Sequence, residues 1–246
     1  MNRIPISGAS PAWSSCESCL PTDLPEHLKT RVRQLASFRI QLERGETLIH
    51  AGASFHGLYA VCRGAFKSVF LGEDGTQQIT GFHRPHQLLG LSGIADKVYV
   101  ADVVTLQAAE VFEFSWRALE SLAEVSPEFL EHLLDYVSER LAQAKRDQFM
   151  LGSMSSSQKI AYFLLQIRAI EGDPDAMSFN LPMTREDIGS YLGLTMETVS
   201  RLLSQLSKAG VVSIDRKRIA IQKAGVLEAW MDGDTKPFSW KSPVVA

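Results

Sequence analysis

Only three cysteines occur in the 246 residues, Cys16, Cys19 and Cys62. So small and odd a number excludes a disulfide scaffold, and the fold must rest on an ordinary hydrophobic core. No apolar run approaches the roughly 20 residues that a membrane helix needs. The opening stretch MNRIPISGASPAWSSCESC lacks an apolar h-region followed by a cleavage signal. A reduced, cytoplasmic protein with no membrane partner is the expectation. The formal net charge is −3, so the chain as a whole does not advertise nucleic-acid binding. No motif offers a nucleophile–base pair or a carboxylate pair, which argues against an enzyme.

What is present is unevenly distributed. Residues 181–224 hold seven Lys/Arg and four Asp/Glu, a net of +3, which leaves −6 for the remainder. A basic module on an acidic body points to an anionic partner for the C-terminal part. Hydrophobic residues make up 45% of the chain, enough for one large domain or two modest ones.

The texture changes along the chain in four zones. Residues 1–22 are rich in Ser, Pro and Gly and read as a flexible tail. Residues 23–125 form a sensory zone. LPEHLKTRVRQLA at 24–36 predicts a short amphipathic helix. Short alternating runs cut by turns follow, with Glu73–Gly75 as a hairpin signal. Many short strands at this spacing predict an antiparallel roll or jelly roll. Residues 126–152 predict a long helix, with Ser126 as N-cap and Pro127 at its first position. Residues 153–246 begin with a helix at 156–171 and continue into a helical pair and a basic hairpin around Asp215–Lys217.

The long helix carries Leu130, Leu134, Val137, Leu141 and Ala144 at a 4-3-4-3 spacing, the seam of a coiled coil. A helix packed on its own domain is the plainer reading. So narrow a seam between two zones points instead to a homodimer interface.

TREDIGSYLGLTMETVSRLL, at 184–202, is the most demanding stretch. Thr184 and Asp187 make a capping-box pattern for a helix over Arg185–Leu192. Gly193 stands where that helix must stop, and a second helix is predicted from Thr195 to about Ala209, ended by Gly210. Two helices joined by a short glycine turn make a helix-turn-helix. Gly189 would admit the close crossing, and Ile188, Leu192, Leu194, Val199 and Leu202 would fill the small core. That leaves Met196, Glu197, Ser200 and Arg201 on an outer face, as a recognition helix presents them to base edges. The following hairpin, with Lys217 at its turn, fits a winged variant.

With these residues in view, the chain resembles the FNR–CRP superfamily of bacterial transcription regulators, and its FNR-like branch most. The resemblance is strongest in LTMETVSRLLSQLSKAGVV, GETLIHAG, LYAVCRGAFKS and GTQQITGFH. It implies an α+β chain with a cyclic-nucleotide-binding-type β-roll, a dimerisation helix and a winged helix-turn-helix that binds double-stranded DNA. It also implies contact with RNA polymerase, most often as an activator. The E-x-x-S-R pattern falls on Glu197, Ser200 and Arg201, which in FNR-like proteins read a TTGAT-N4-ATCAA palindrome. Arg can pair with guanine O6 and N7, and Glu accepts from cytosine N4. Thr195, Thr198, Arg185 and Lys217 complete the predicted DNA-binding set.

The signal is open at this point. Cyclic-AMP binders of the superfamily carry a Gly-Glu pair and an Arg-Ser/Thr pair; here Gly90 is followed by Leu91, and Val100 precedes Ala101. FNR-type oxygen sensors hold a [4Fe–4S] cluster on four cysteines. Cys16 and Cys19 resemble the first two ligands, the third has no counterpart, and Phe112 stands where the roll cysteine is expected. Cys62 with His27 completing a cluster, a redox disulfide of Cys16 and Cys19, or thiols that bind nothing are the alternatives. A haem in the roll, with His50, His56, His83 or His86 as ligand, is another. An oxygen- or redox-responsive regulator, a cluster- or haem-binding gas sensor, and a ligand-binding module without DNA binding remain in competition. In FNR-like sensors the dimer helix bears an acidic residue that the cluster must overcome, and here Ala144 takes its place.

Overall fold

The computed structural model describes residues 1–6, 19–170 and 178–232. The chain divides into two compact units, Met1–Gln143 and Ala144–Ala246.

The first unit is a β-roll. Its larger sheet runs β1 (Asn2–Pro5), β2 (Ala36–Leu42), β9 (Ala109–Ser115), β4 (Gly57–Arg63) and β7 (Leu88–Leu89). The smaller sheet runs β3 (Thr47–Ile49), β8 (Asp102–Thr105), β5 (Phe66–Leu71) and β6 (Gln77–His83). All the pairings are antiparallel. Ile40, Val61, Phe66, Val103 and Val111 interlock as one buried cluster drawn from both sheets. The other face of the larger sheet is also covered. There Leu58, Ala60, Phe112 and Phe114 pack against α1 (Glu26–Gln34), α2 (Trp116–Val125) and the first turn of α3 (Pro127–Ser153). Burial on both faces is why GLYAVC in β4 reads as a continuous apolar run and not as an alternation.

Two acidic residues are buried in β9, and each is partnered. Glu110 Oε2 accepts from Arg39 at 2.6 Å, Arg63 at 2.9 Å and Gln41 at 3.3 Å. Burial alone would raise this carboxyl, but the three donors outweigh it and hold the pKa below the usual range. Glu113 Oε1 accepts from Arg3 at 2.7 Å. Arg3 also stacks on Phe38, 3.8 Å from its ring centre. Residues 2–5, expected within a flexible tail, are therefore an edge strand. The long-range partners of Arg3, invisible to local pattern, hold it there. Leu20 and Cys19 at the end of the same predicted tail are buried as well.

In the second unit α4 (Ser156–Ile170) packs with α7 (Ala224–Asp232), α5 (Arg185–Leu192) and α6 (Met196–Lys208). The small sheet has the order β10 (Ser178–Asn180), β12 (Arg218–Ile221), β11 (Val212–Asp215). The helix α3 runs through the boundary between the units.

Candidate nucleic-acid interface

The helical pair is fixed by local chemistry. Thr184 Oγ1 accepts from the Asp187 N–H at 3.0 Å, and Asp187 Oδ2 accepts from the Thr184 N–H at 2.8 Å. This reciprocal cap satisfies two orphan donors at the start of α5. Gly193 ends the helix in the left-handed region, φ 62°. Thr195 Oγ1 then caps α6, accepting from the Thr198 N–H at 3.2 Å. The two helices meet over Ile188, Leu192, Val199 and Leu202, all buried. Leu194, expected in that core, is half-buried.

The other face of α6 is free. Met196, Glu197 and Arg201 are exposed, and Ser200 is half-buried beside them. Thr198 is half-buried, with its hydroxyl on that of Thr195 at 3.1 Å, so these two threonines build the helix start. Arg185, half-buried, opens α5 and lines a cleft of about 370 Å³ with Ser200, Ser204 and Lys208. Burial lowers the pKa of its guanidinium. In the hairpin of β11 and β12, Arg216 takes a positive φ of 52° and Lys217 is exposed at the turn. The turn is tied down by its backbone, since the Lys217 carbonyl accepts from the Leu181 N–H at 2.7 Å.

On α3 within the first unit, Leu130, Leu134, Val137 and Leu141 are exposed by 36–60%. Phe129 and Tyr136, on the same helix, are buried. Ala144, in the second unit, is exposed, and the Asp147 carboxylate is engaged by the Tyr162 hydroxyl at 2.8 Å.

Among the described residues, the sensory candidates do not assemble into a standard site. Tyr99 is buried against Gly90 and Gly93, and its hydroxyl donates to the Gly57 carbonyl at 2.8 Å. Its ring fills the turn after Gly90, and Phe55 packs edge-on to it at 5.3 Å. Leu91 and Val100 supply no cation or carboxylate for a nucleotide there. Cys19 is a free thiol in the apolar cluster under α1, and burial pushes its pKa up to about 11. A thiol kept protonated is a poor metal ligand. Phe112 occupies the roll position as fully buried core. These residues do not fit a four-cysteine cluster. Cys16 lies outside the described residues. Among the described residues no group of three or more His, Cys, Asp or Glu could hold a metal ion.

The histidines raised as haem ligands have separate partners. His56 Nε2 lies 2.7 Å from the Tyr59 hydroxyl, and His83 Nε2 lies 2.7 Å from Ser68 Oγ. His86 Nδ1 lies 3.3 Å from the Leu20 carbonyl. His50 faces Asp102 at 3.9 Å; His27, raised instead as a cluster ligand beside Cys62, faces Glu128 at 2.9 Å.

Comparison with known proteins agrees with this architecture. A model of the cyclic nucleotide-binding domain matches residues 39–126, and a Crp-like helix-turn-helix domain matches residues 158–230. The chain is 31% identical over 212 residues to the regulatory protein HlyX of Actinobacillus pleuropneumoniae, covering 85% of this chain and 88% of that one. It is 32% identical over 226 residues to the anaerobic regulatory protein of Haemophilus influenzae, covering 91% and 88%. The structure of FixK2 from Bradyrhizobium japonicum superposes with a TM-score of 0.73 at 28% identity, over 78% of this chain and 96% of that one. With capped helix pair, wing and β-roll in place, the chain belongs to the FNR–CRP family of transcription regulators, in its FNR-like branch.

Proposed function

We propose that this chain acts as a homodimeric transcription activator that reads a TTGAT-N4-ATCAA-type palindrome. One observation carries the reading. On α6, Val199 and Leu202 are buried while Glu197, Arg201 and, beside them, Ser200 face outward near the helix N-terminus. That is the end a recognition helix offers to base edges. Arg201 takes guanine, Glu197 takes cytosine, and Ser200 lies between them. Thr195 and Thr198 set the helix start, and Arg185 and Lys217 contact phosphates. The proposed organisation is a sensory roll at 23–125 that also takes in the edge strand at 2–5, a dimerisation helix at 126–152 and a DNA-binding domain at 153–246.

The exposed apolar stripe of α3 is the dimer surface. Exposed Phe70 and Leu71, next to the β5–β6 hairpin turn, suit a contact with RNA polymerase. Oxygen or redox state is the proposed input, by analogy with the relative named as an anaerobic regulator. It enters by a route other than a four-cysteine cluster.

Fluorescence anisotropy with the palindrome and a scrambled duplex, at graded salt, tests the reading. Tighter, salt-sensitive binding of the palindrome is expected. Equal affinity for both duplexes would sink it.

A further inference from the structure

The DNA face of α6 does not end at Arg201. At 3.6 residues per turn, positions 197, 200, 201, 204 and 208 fall within an arc of about 100°. The last two belong to the cleft that also takes Arg185 and Ile214. Serine at 200, 204 and 207 keeps this side of the helix low, so a groove stays open between α6 and β11. Leu203, buried, forms part of its lining. Lys208, exposed, and Arg185, half-buried, both line it. The acids adjoining in sequence, Glu186 and Asp215, do not line it. The groove therefore presents two cations and a row of hydroxyls, with no carboxylate in its wall.

We infer that this groove seats a phosphodiester of the DNA backbone, with Lys208 and the Ser204–Ser207 stretch as contacts beyond the base-reading residues. The inference rests on the DNA-binding reading above. A duplex touching Glu197 and Arg201 must carry its backbone across the same arc, which is why the phosphate is that of DNA and not a free anion. Lys208 acts as a point charge with no sequence preference. Its work is to hold α6 in register, so that Arg201 meets its base.

The test uses the full chain, with anisotropy titrations of palindromic and scrambled duplexes over a salt series. Lys208→Ala should weaken both duplexes by the same factor, about twofold to fivefold. It should also lower the slope of log affinity against log salt by about 0.9. Lys208→Arg should restore both. Ser204→Leu, which fills the groove without removing charge, should weaken both duplexes while leaving far-ultraviolet circular dichroism unchanged. A duplex carrying a neutral methylphosphonate at the contacted position should make Lys208→Ala silent.

If Lys208→Ala leaves affinity and slope unchanged while the wild type still prefers the palindrome, this inference is wrong and the DNA-binding reading stands. If inorganic phosphate raises the melting temperature of the wild type but not of Lys208→Ala, and both bind DNA alike, the groove holds a free anion and the inference is overturned. A wild type that cannot tell the duplexes apart would remove the sequence reading instead; the phosphate contact would then survive only if Lys208→Ala still lowered the slope.

Discussion

Leu194 donates its N–H to the Gly189 carbonyl at 2.9 Å, and its own carbonyl oxygen lies 2.6 Å from where a Cβ on Gly189 would stand. The obstacle is backbone, so it cannot swing aside as a flexible side chain could. Gly189→Ala should push α5 and α6 apart and destabilise the second unit by about 1–3 kcal/mol. Gly193 differs, since a Cβ there would meet only ordinary contacts, with Leu151 at 3.7 Å and Lys159 at 4.0 Å, and its φ of 62° is the demanding feature. Gly193→Ala should cost about 1–2 kcal/mol. Urea unfolding of the two variants measures both, and a Gly189→Ala protein as stable as wild type would refute the close crossing.

Arg201→Ala should lose about 1–3 kcal/mol at a palindromic site, because a bidentate guanine contact disappears. Lys217→Ala should weaken specific and random duplexes alike, since a phosphate contact carries no sequence information. The ratio of the two affinities is the readout. If that ratio survives Arg201→Ala, the recognition face has been assigned to the wrong residues.

The apolar stripe on α3 should assemble the chain without a cofactor. Burying one Leu against its two-fold mate contributes roughly 1.5–3 kcal/mol, whereas burying unpaired carboxylates would cost several. Asp135 and Glu139, on the same helix, lie off that spacing and are exposed. Sedimentation at micromolar concentration in air should show a dimer. Leu141→Glu or Ala144→Asp should shift it toward monomer and weaken palindrome binding. A wild-type monomer in air would mean that something else drives assembly.

Cys19 should resist alkylation. Its thiol pKa is raised from 9.0 to about 11 by burial, so the folded state favours the protonated form. The resulting contribution to stability is fully present below pH 9 and is lost as pH rises through about 11. Iodoacetamide at pH 8, followed by peptide mass mapping, should leave Cys19 unmodified in native protein and modify it in urea. Rapid native labelling would show that the cover of α1 opens readily.

The helix pair was legible because its signals are local. A cap three residues from its partner, a glycine at a forced left-handed turn and an apolar spacing all lie within one short window. The strands of the roll announced themselves by turns such as Glu73–Gly75. What stayed hidden depends on distant partners. Strand β1 holds a proline and no clear alternation, and Arg3 finds Glu113 only across 110 positions. Helix α2 was not read out of the sensory zone, whereas the break at Ser126 that separates it from α3 was legible as an N-cap. The short β10 carries too few residues to show a period. Pattern alone cannot see the arginines that let Glu110 and Glu113 be buried. The same holds for the region after Gly90: a missing arginine could be read, but not the ring of Tyr99 that fills the gap.

That ring has a thermodynamic consequence. A vacant pocket gains stability by mass action whenever its ligand is present, as RT ln(1 + [L]/Kd). Tyr99 is covalently part of the chain, so its effective concentration never changes. Added cyclic nucleotide then has nothing to displace at this turn except a buried aromatic side chain already bonded to Gly57. The roll is saturated from the moment it folds, and its melting temperature should be flat across any nucleotide titration.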